Sequence, residues 1–310
     1  MVLWAADSFG AFTVLETNQV AAEFEQRTWL REHGLSDDGV QAILQSRDGY
    51  LWIGTPRGLV RFDGRTFSIF DHVNTPEMVN DDCRTLAEDA EGNVWIGTKQ
   101  GVIRKTGNQF KRFTNQDAPE LESVPGAPLC ARRARGVWAG GIGRLYRILD
   151  GQVKTYEGKF SGPDRPGWVT AIQEDELGNI WLGTTAGFVR FDPKTESFEL
   201  APLKKQFERI PVVAIRKGLD DKYWVLFSTG TPDPFLRGGE SWITAFRNGL
   251  WTREPRGPGF NINPQSGGFI VEDELAAMWL SGGAGAVHRV IREEVRDEVG
   301  YATHALTPFR

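Results

Sequence analysis

The stretch Val40-Gln-Ala-Ile-Leu-Gln-Ser-Arg-Asp-Gly-Tyr-Leu-Trp-Ile-Gly-Thr-Pro-Arg-Gly-Leu-Val-Arg-Phe-Asp-Gly64 reads as strands joined by tight turns. Val40 to Gln45 is a short β-branched and aliphatic run. Arg47-Asp-Gly-Tyr50 is a hairpin turn, because Asp-Gly supplies the positive φ angles that such turns need. Leu51 to Thr55 is a second strand with Trp52 inside it, and Pro56-Arg-Gly58 turns the chain again. Leu59 to Asp63 gives a third strand and Thr66 to Phe70 a fourth. No part of the chain shows a sustained helical period.

The same pattern recurs along the chain. Tryptophans stand at Trp52, Trp95, Trp138, Trp181 and Trp224, each 43 residues after the last. Trp279 follows after 55, one period plus a twelve-residue insertion. An aliphatic residue lies nine positions before each (Ile43, Leu86, Leu129, Ile172, Ile215, Ile270). A turn glycine precedes three of them by three positions (Gly49, Gly92, Gly178). Glycines also follow by two positions (Gly54, Gly97, Gly140, Gly183) and by six (Gly58, Gly101, Gly187, Gly230, Gly285). Four short antiparallel strands at this period are the pattern of a β-propeller blade. The expected fold is therefore all-β: a propeller of four-stranded antiparallel blades with six Trp-centred repeats. The tryptophans are expected to fill the wedges between blades, with the following glycine letting the next sheet approach.

Residues 1–22 read as an N-terminal segment and 23–310 as a single propeller domain. The stretch Glu23–Gly34 reads as a fourth strand and the link into the next blade. Pairing it with the last blade closes a six-bladed ring and removes exposed edges. The alternative is a seven-bladed ring whose last blade is partly missing, with 300–310 as one of its strands. The sixth unit is expected to have strands near Gly268–Glu272, Met278–Ser281 and Ala286–Val290, then a polar run from Arg292 to Glu298.

Composition narrows the function. In 310 residues, 36 Lys and Arg against 41 Asp and Glu give a net charge of −5. Scattered charges with an acidic balance do not make the concentrated basic surface that nucleic acid requires. No window of eighteen or more apolar residues exists, so no membrane span is expected. The first 22 residues lack Lys and Arg, and Asp7 and Glu16 interrupt their apolar run, so no clear signal peptide is present. A cytoplasmic protein and a chain starting after or inside a processed leader both fit.

The phrases Gly34-Leu-Ser-Asp-Asp-Gly-Val40 continuing to Gly64, Glu88-Asp-Ala-Glu-Gly-Asn-Val-Trp-Ile-Gly-Thr98 and Glu174-Asp-Glu-Leu-Gly-Asn-Ile-Trp-Leu-Gly-Thr184 closely resemble the two-component regulator propeller repeat. The resemblance runs from about Phe24 to Val290 and is degenerate in units three, five and six, where Arg135, Asp221 and Ala276 replace the turn glycine. It implies a bacterial sensor's extracytoplasmic, periplasmic input domain, in a family some of whose members sense oligosaccharides. Family members usually continue into a second propeller, a membrane helix and a kinase or cyclase. This chain contains none of these, so it corresponds to the input half or to a stand-alone relative.

Ligands of propellers occupy the mouth built by the blade-to-blade links and the second-to-third strand loops. The residues expected there are Asp38, Asp82, Arg84, Trp168 and Arg209 on links, and Arg57, Lys99 and Arg237 on second-to-third loops, Arg237 within the insertion Thr231–Glu240. Carboxylates and guanidinium groups hydrogen-bond hydroxyls and tryptophan stacks on a sugar face, which suits a small polar or oligosaccharide ligand. The competing reading is that these are turn formers and solvated charges.

No cofactor, metal or catalytic residue is expected. The four histidines, His33, His72, His288 and His304, form no metal-binding spacing, and none is expected on the mouth loops. Cys83 and Cys130 fall on first strands of adjacent blades, as buried thiols or, alternatively, as a disulfide. Arg132-Arg-Ala-Arg135 reads as a solvated turn or a docking point. The function expected is non-enzymatic ligand binding, with a signalling protein or domain as a further partner. A protein-interaction scaffold and, more distantly, a propeller lyase are the alternatives.

Overall fold

The computed structural model describes residues 2–6, 12–17, 24–118, 121, 128–133, 135–158, 167–201, 210–218, 222–228, 241–247, 250–251, 270–272, 278–281, 287–295 and 298–306. The chain divides into two compact units, Met1–Glu157 and Gly158–Arg310. In the first, β1 (Val2–Ala6), β2 (Phe12–Thr17) and β3 (Phe24–Trp29) form a three-stranded antiparallel sheet. Three four-stranded antiparallel sheets follow. The first is β4 (Ala42–Gln45), β5 (Leu51–Thr55), β6 (Gly58–Phe62) and β7 (Phe67–Phe70). The next is β8 (Cys83–Glu88), β9 (Val94–Thr98), β10 (Gly101–Thr106) and β11 (Gln109–Phe113). The last is β12 (Leu129–Ala131), β13 (Val137–Gly140), β14 (Arg144–Leu149) and β15 (Gln152–Glu157).

The second unit has three more such sheets: β16 (Val169–Glu174), β17 (Ile180–Thr184), β18 (Gly187–Asp192) and β19 (Ser197–Leu200); β20 (Val212–Lys217), β21 (Tyr223–Ser228), β22 (Ser241–Arg247) and β23 (Leu250–Trp251); and β24 (Ile270–Glu272), β25 (Met278–Ser281), β26 (Val287–Val295) and β27 (Glu298–Leu306). In every four-stranded sheet the strands lie side by side in chain order. The sixth Trp unit differs from the sequence reading. Most of the polar run 292–298 extends a hairpin, and Gly300–Leu306 pairs with β26 as that sheet's fourth strand instead of beginning another blade.

Three of the blades, the first, second and fourth Trp units, are locked by a motif contained in their own repeat. Asp89 lies six residues before Trp95 and is 2% exposed. Its Oδ1 accepts bonds from the backbone N–H groups of Glu91 and Asn93, both at 3.0 Å. Its Oδ2 accepts the Trp95 indole N–H at 2.7 Å. Asp175 does the same for Leu177, Asn179 and Trp181, with an indole bond of 2.8 Å. In the first repeat the acceptor is the Ser46 hydroxyl, 3.1 Å from Trp52 Nε1. The carboxylate thus shapes the hairpin turn, whose Gly92 and Gly178 both have φ of +82°, and fixes the indole on the next strand.

The tryptophans are core, as expected. Trp52 packs on Met78, Cys83, Val94 and Ile96, and so bridges the first two four-stranded blades. Trp95 packs on Val137, Ala139 and Tyr146, and Trp181 on Val212, Tyr223 and Phe227. Trp138 and Trp224 are also buried; the side chain of Trp279 lies outside the described residues. The glycine after the tryptophan makes this closeness possible. A Cβ on Gly54 would sit 2.6 Å from the Cys83 carbonyl oxygen, and one on Gly183 would sit 2.7 Å from Val212 Cγ1.

A second set of bonds clasps neighbouring blades through the first-to-second strand turns. Arg47 reaches Glu88 at 3.4 Å and donates to the Asp89 and Ala90 carbonyls. Arg135 bonds Glu91 at 2.5 Å and Asp150 at 2.7 Å. The reading of Arg132–Arg135 as a solvated turn stands for Arg135, whose side chain is 55% exposed, and from that turn it also clasps the neighbouring blade. In the second unit, Glu176 accepts bonds from Lys217 and Tyr223, both at 2.6 Å. Cys83 and Cys130 are buried thiols, with no disulfide between them.

Candidate functional site

The ends of the blades opposite these clasps are built by the links and by the second-to-third strand turns. Each such turn is held by the threonine three residues after the tryptophan. Thr55 Oγ1 donates to Gly58 O at 2.9 Å and accepts from Arg57 N at 3.1 Å. Thr98 and Thr184 repeat this with Gly101 and Gln100, and with Gly187 and Ala186. The turns are then tied to the links, and the link before β8 bonds the turns on both sides of it. Gly58 N–H donates to Asp81 O at 2.9 Å, and Lys99 N–H donates to Asp82 O at 3.1 Å. The links and turns of adjacent blades therefore form one continuous surface.

On it, the first unit brings together Arg57, Asp82, Arg84 and Lys99, four of the residues singled out from sequence. Arg57 holds Asp37 through Nε at 3.2 Å, and its side chain is well exposed. It lines a cavity of about 400 Å³ with Ser36, Ile69, Asp71 and Asp81. The Lys99 ammonium has no partner among the described residues. Arg84 clamps Asp82 Oδ2 with two bonds of 3.0 and 2.7 Å, while Asp82 Oδ1 is buried and accepts no hydrogen bond. Asp38 lies one link earlier, where its Oδ1 accepts the Arg31 N–H at 2.8 Å, the turn-forming role weighed against it.

In the second unit, Trp168 stands thirteen residues before Trp181, the repeat position that Asp82 holds before Trp95. Its carbonyl accepts Thr185 N–H at 2.9 Å, matching the Lys99–Asp82 bond, and its side chain is 50% exposed. Arg209 and Arg237 lie outside the described residues, as does the insertion between β21 and β22.

The sequence reading placed no histidine on the mouth loops, and the structure corrects this. His72 stands on the link between β7 and β8. Its Nδ1 is 2.5 Å from Asp81 Oδ2, and its backbone N–H donates to Asp81 Oδ1 at 2.7 Å. The signal was present as a His nine residues before an Asp within one link, but that link had been read only from Asp81 onward. Asp71 and Ser36 were missed for a similar reason: both also serve turns or strands, Asp71 accepting from Val73 and Asn74 N–H, and Ser36 bonding Thr55 Oγ1. Burial raises the Cys83 thiol pKa far above its ordinary value, and Asp81 and Asp82 add to this, so the one thiol beneath the site is not a nucleophile.

Four-stranded antiparallel sheets in chain order, five of them with a buried tryptophan on the second strand, define a β-propeller. Residues 34–57, 78–100 and 164–186 match the family described as two component regulator propeller, so these three segments carry its repeat. No curated protein matches the sequence. Among solved structures, it is similar to the extracellular domain of BT3049 from B. thetaiotaomicron, assigned to a hybrid two-component system, with 19% identity and a TM-score of 0.62 over 92% of this chain and 39% of that one. It is also similar to the extracellular domain of BT4673 from the same organism, with 16% identity and a TM-score of 0.56 over 93% of this chain and 43% of that one. The chain thus spans about two fifths of either protein's solved length. Virginiamycin B lyase from Staphylococcus aureus shares the fold at 16% identity and a TM-score of 0.57, over 85% of this chain and 84% of that one. Among the described residues, no helix is long and apolar enough to cross a membrane.

Proposed function

We propose that this chain is an extracytoplasmic sensory input propeller that binds a small polar ligand of the oligosaccharide class at its mouth and performs no catalytic step. A signalling protein or domain would receive the output. The observation that carries the reading is a pair of unspent cationic groups on the link-and-turn surface: the Lys99 ammonium and the free edge of Arg57. Ligand hydroxyl oxygens supply the acceptors these groups lack. The exposed Trp168 ring offers a stacking face at the same repeat position in the second unit. The repeat family and the likeness to extracellular domains support the sensory role and the compartment. Likeness to a lyase at 16% identity supports the fold and no chemistry.

Thermal unfolding with a panel of plant and microbial oligosaccharides tests this. A ligand at a hundred times its dissociation constant adds about 2.7 kcal/mol of stability. Arg57→Ala and Lys99→Ala are each expected to weaken the responding ligand about tenfold, or about 1.4 kcal/mol. A panel that moves nothing, or a shift unaffected by either substitution, refutes the reading.

A further inference from the structure

Between the last strands of the first two four-stranded blades runs a second concavity, of about 610 Å³. Small-ligand sites span roughly 300–1,000 Å³. Its floor is Phe70 of β7 and Phe110 of β11, with ring centroids 5.4 Å apart and planes inclined at 47°. Ile69 and Pro76 extend the apolar surface. One wall is the link around Glu77, and the other is the β10–β11 turn with Asn108 and Gln109.

Polar accounting separates spent groups from unspent ones. The Asn74 amide is used internally: its Nδ2 donates to Ile69 O at 3.0 Å, and its Oδ1 accepts Thr75 Oγ1 at 2.8 Å. The side chains of Glu77, Asn108 and Gln109 have no partner among the described residues. Glu77 is the one charged residue lining the groove.

We propose that this groove binds a short extended peptide carrying an aliphatic side chain beside a basic one. Primary amides copy the donor and acceptor of the peptide bond, so Asn108 and Gln109 suit a peptide backbone. Two rings tilted at 47° make a notch, not a platform. A branched aliphatic side chain wedges into such a notch, whereas a flat sugar ring needs a level face. The Lys105 ammonium already lies 5.9 Å from the Phe110 centroid, which disfavours a second cation on that ring and sends the basic group to Glu77. The proposal is independent of what the mouth binds.

The test is a titration of the full chain, followed by the side-chain amide signals of Asn108 and Gln109 in nitrogen-15 spectra. The capped peptide Ala-Leu-Lys-Ala is expected to shift both signals to saturation. Ala-Gly-Lys-Ala and Ala-Leu-Glu-Ala are expected to bind at least about tenfold more weakly. Glu77→Lys, a change at an exposed residue, should reverse the preference between the lysine and glutamate peptides. The proposal is overturned if no peptide shifts these signals at about 1 mM, if Glu77→Lys leaves the preference unchanged, or if cellotetraose shifts them and the peptides do not.

Discussion

Replacing Asp89 with alanine removes the acceptor on which one blade depends. Asp89 is 2% exposed and Trp95 1%, so neither is rescued by solvent at the surface. The substitution strands the Trp95 indole N–H, now bonded at 2.7 Å, and the Asn93 backbone N–H, now bonded at 3.0 Å. A buried donor left without an acceptor costs about 1–3 kcal/mol. The hairpin turn relaxes enough to rehydrate Asn93, but the indole is wedged against Val137 and Tyr146 and stays dry. The expected loss is therefore about 3 kcal/mol, most of it from the indole. At about 2–4 °C per kcal/mol, the midpoint falls by about 6–12 °C. Asp89→Ser should recover much of this, because Ser46 serves Trp52 in the same way at 3.1 Å. The control is Asp63→Ala, which removes a turn carboxylate that accepts three bonds at an exposed site. Denaturant unfolding followed by tryptophan fluorescence reads all three variants. The reasoning is refuted if Asp89→Ala costs no more than Asp63→Ala, or if serine is no better than alanine.

Gly54→Ala should destabilise by about 1–3 kcal/mol, since its Cβ meets a backbone oxygen at 2.6 Å. Gly49→Ala, with φ of +89° and open space around it, should cost about 1 kcal/mol; equal costs in thermal melts would show that the blades are free to move apart. Burial raises the Glu176 pKa, but the bonds from Lys217 and Tyr223 outweigh it and hold the carboxyl at about 2, below its ordinary 4.5. A depressed carboxyl contributes stability above its unfolded pKa and loses it as pH falls through the folded one. Glu176→Gln should therefore narrow the gap to the parent protein between pH 4.5 and about 2, and a gap that is independent of pH would disprove the clasp. A maleimide at neutral pH should leave Cys83 unmodified in the folded chain and label it in urea, as mass spectrometry would show; rapid labelling of the folded form contradicts its burial.

The strand pattern was legible because turn chemistry and the tryptophan period are local. Leu51–Thr55 and Met278–Ser281 match their observed strands to the residue. The role of Asp89 was not legible, because an Asp before a turn reads the same whether its carboxylate faces water or an indole. The partners of Arg135 were not legible either: a basic run reads as solvated, and nothing in it shows that Glu91 and Asp150 stand beside it. Arg57, Asp82 and Lys99 could be located on links and turns because repeat position dictates which end of a blade a loop occupies, whereas Arg84, read on a link, is the second residue of β8. Which of them remain unspent depends on pairings between links and turns, and one repeat's sequence does not contain those.

The bond from Asp89 to Trp95 spans six residues and crosses no blade boundary. A lock of that kind travels with its own segment of chain. A stretch of coding sequence one period long therefore carries a whole closing device, and duplicating it yields another blade ready to shut. Drift is tolerated unevenly for the same reason. The third repeat has Arg132 where Asp89 stands in the second, with its guanidinium carbon 5.8 Å from the centre of the Trp138 ring. It still folds as four strands, because the intact lock next door and the Glu91–Arg135 clasp hold its first turn in place. Intact units thus act as templates for worn ones, which leaves the worn blades free to change their loops.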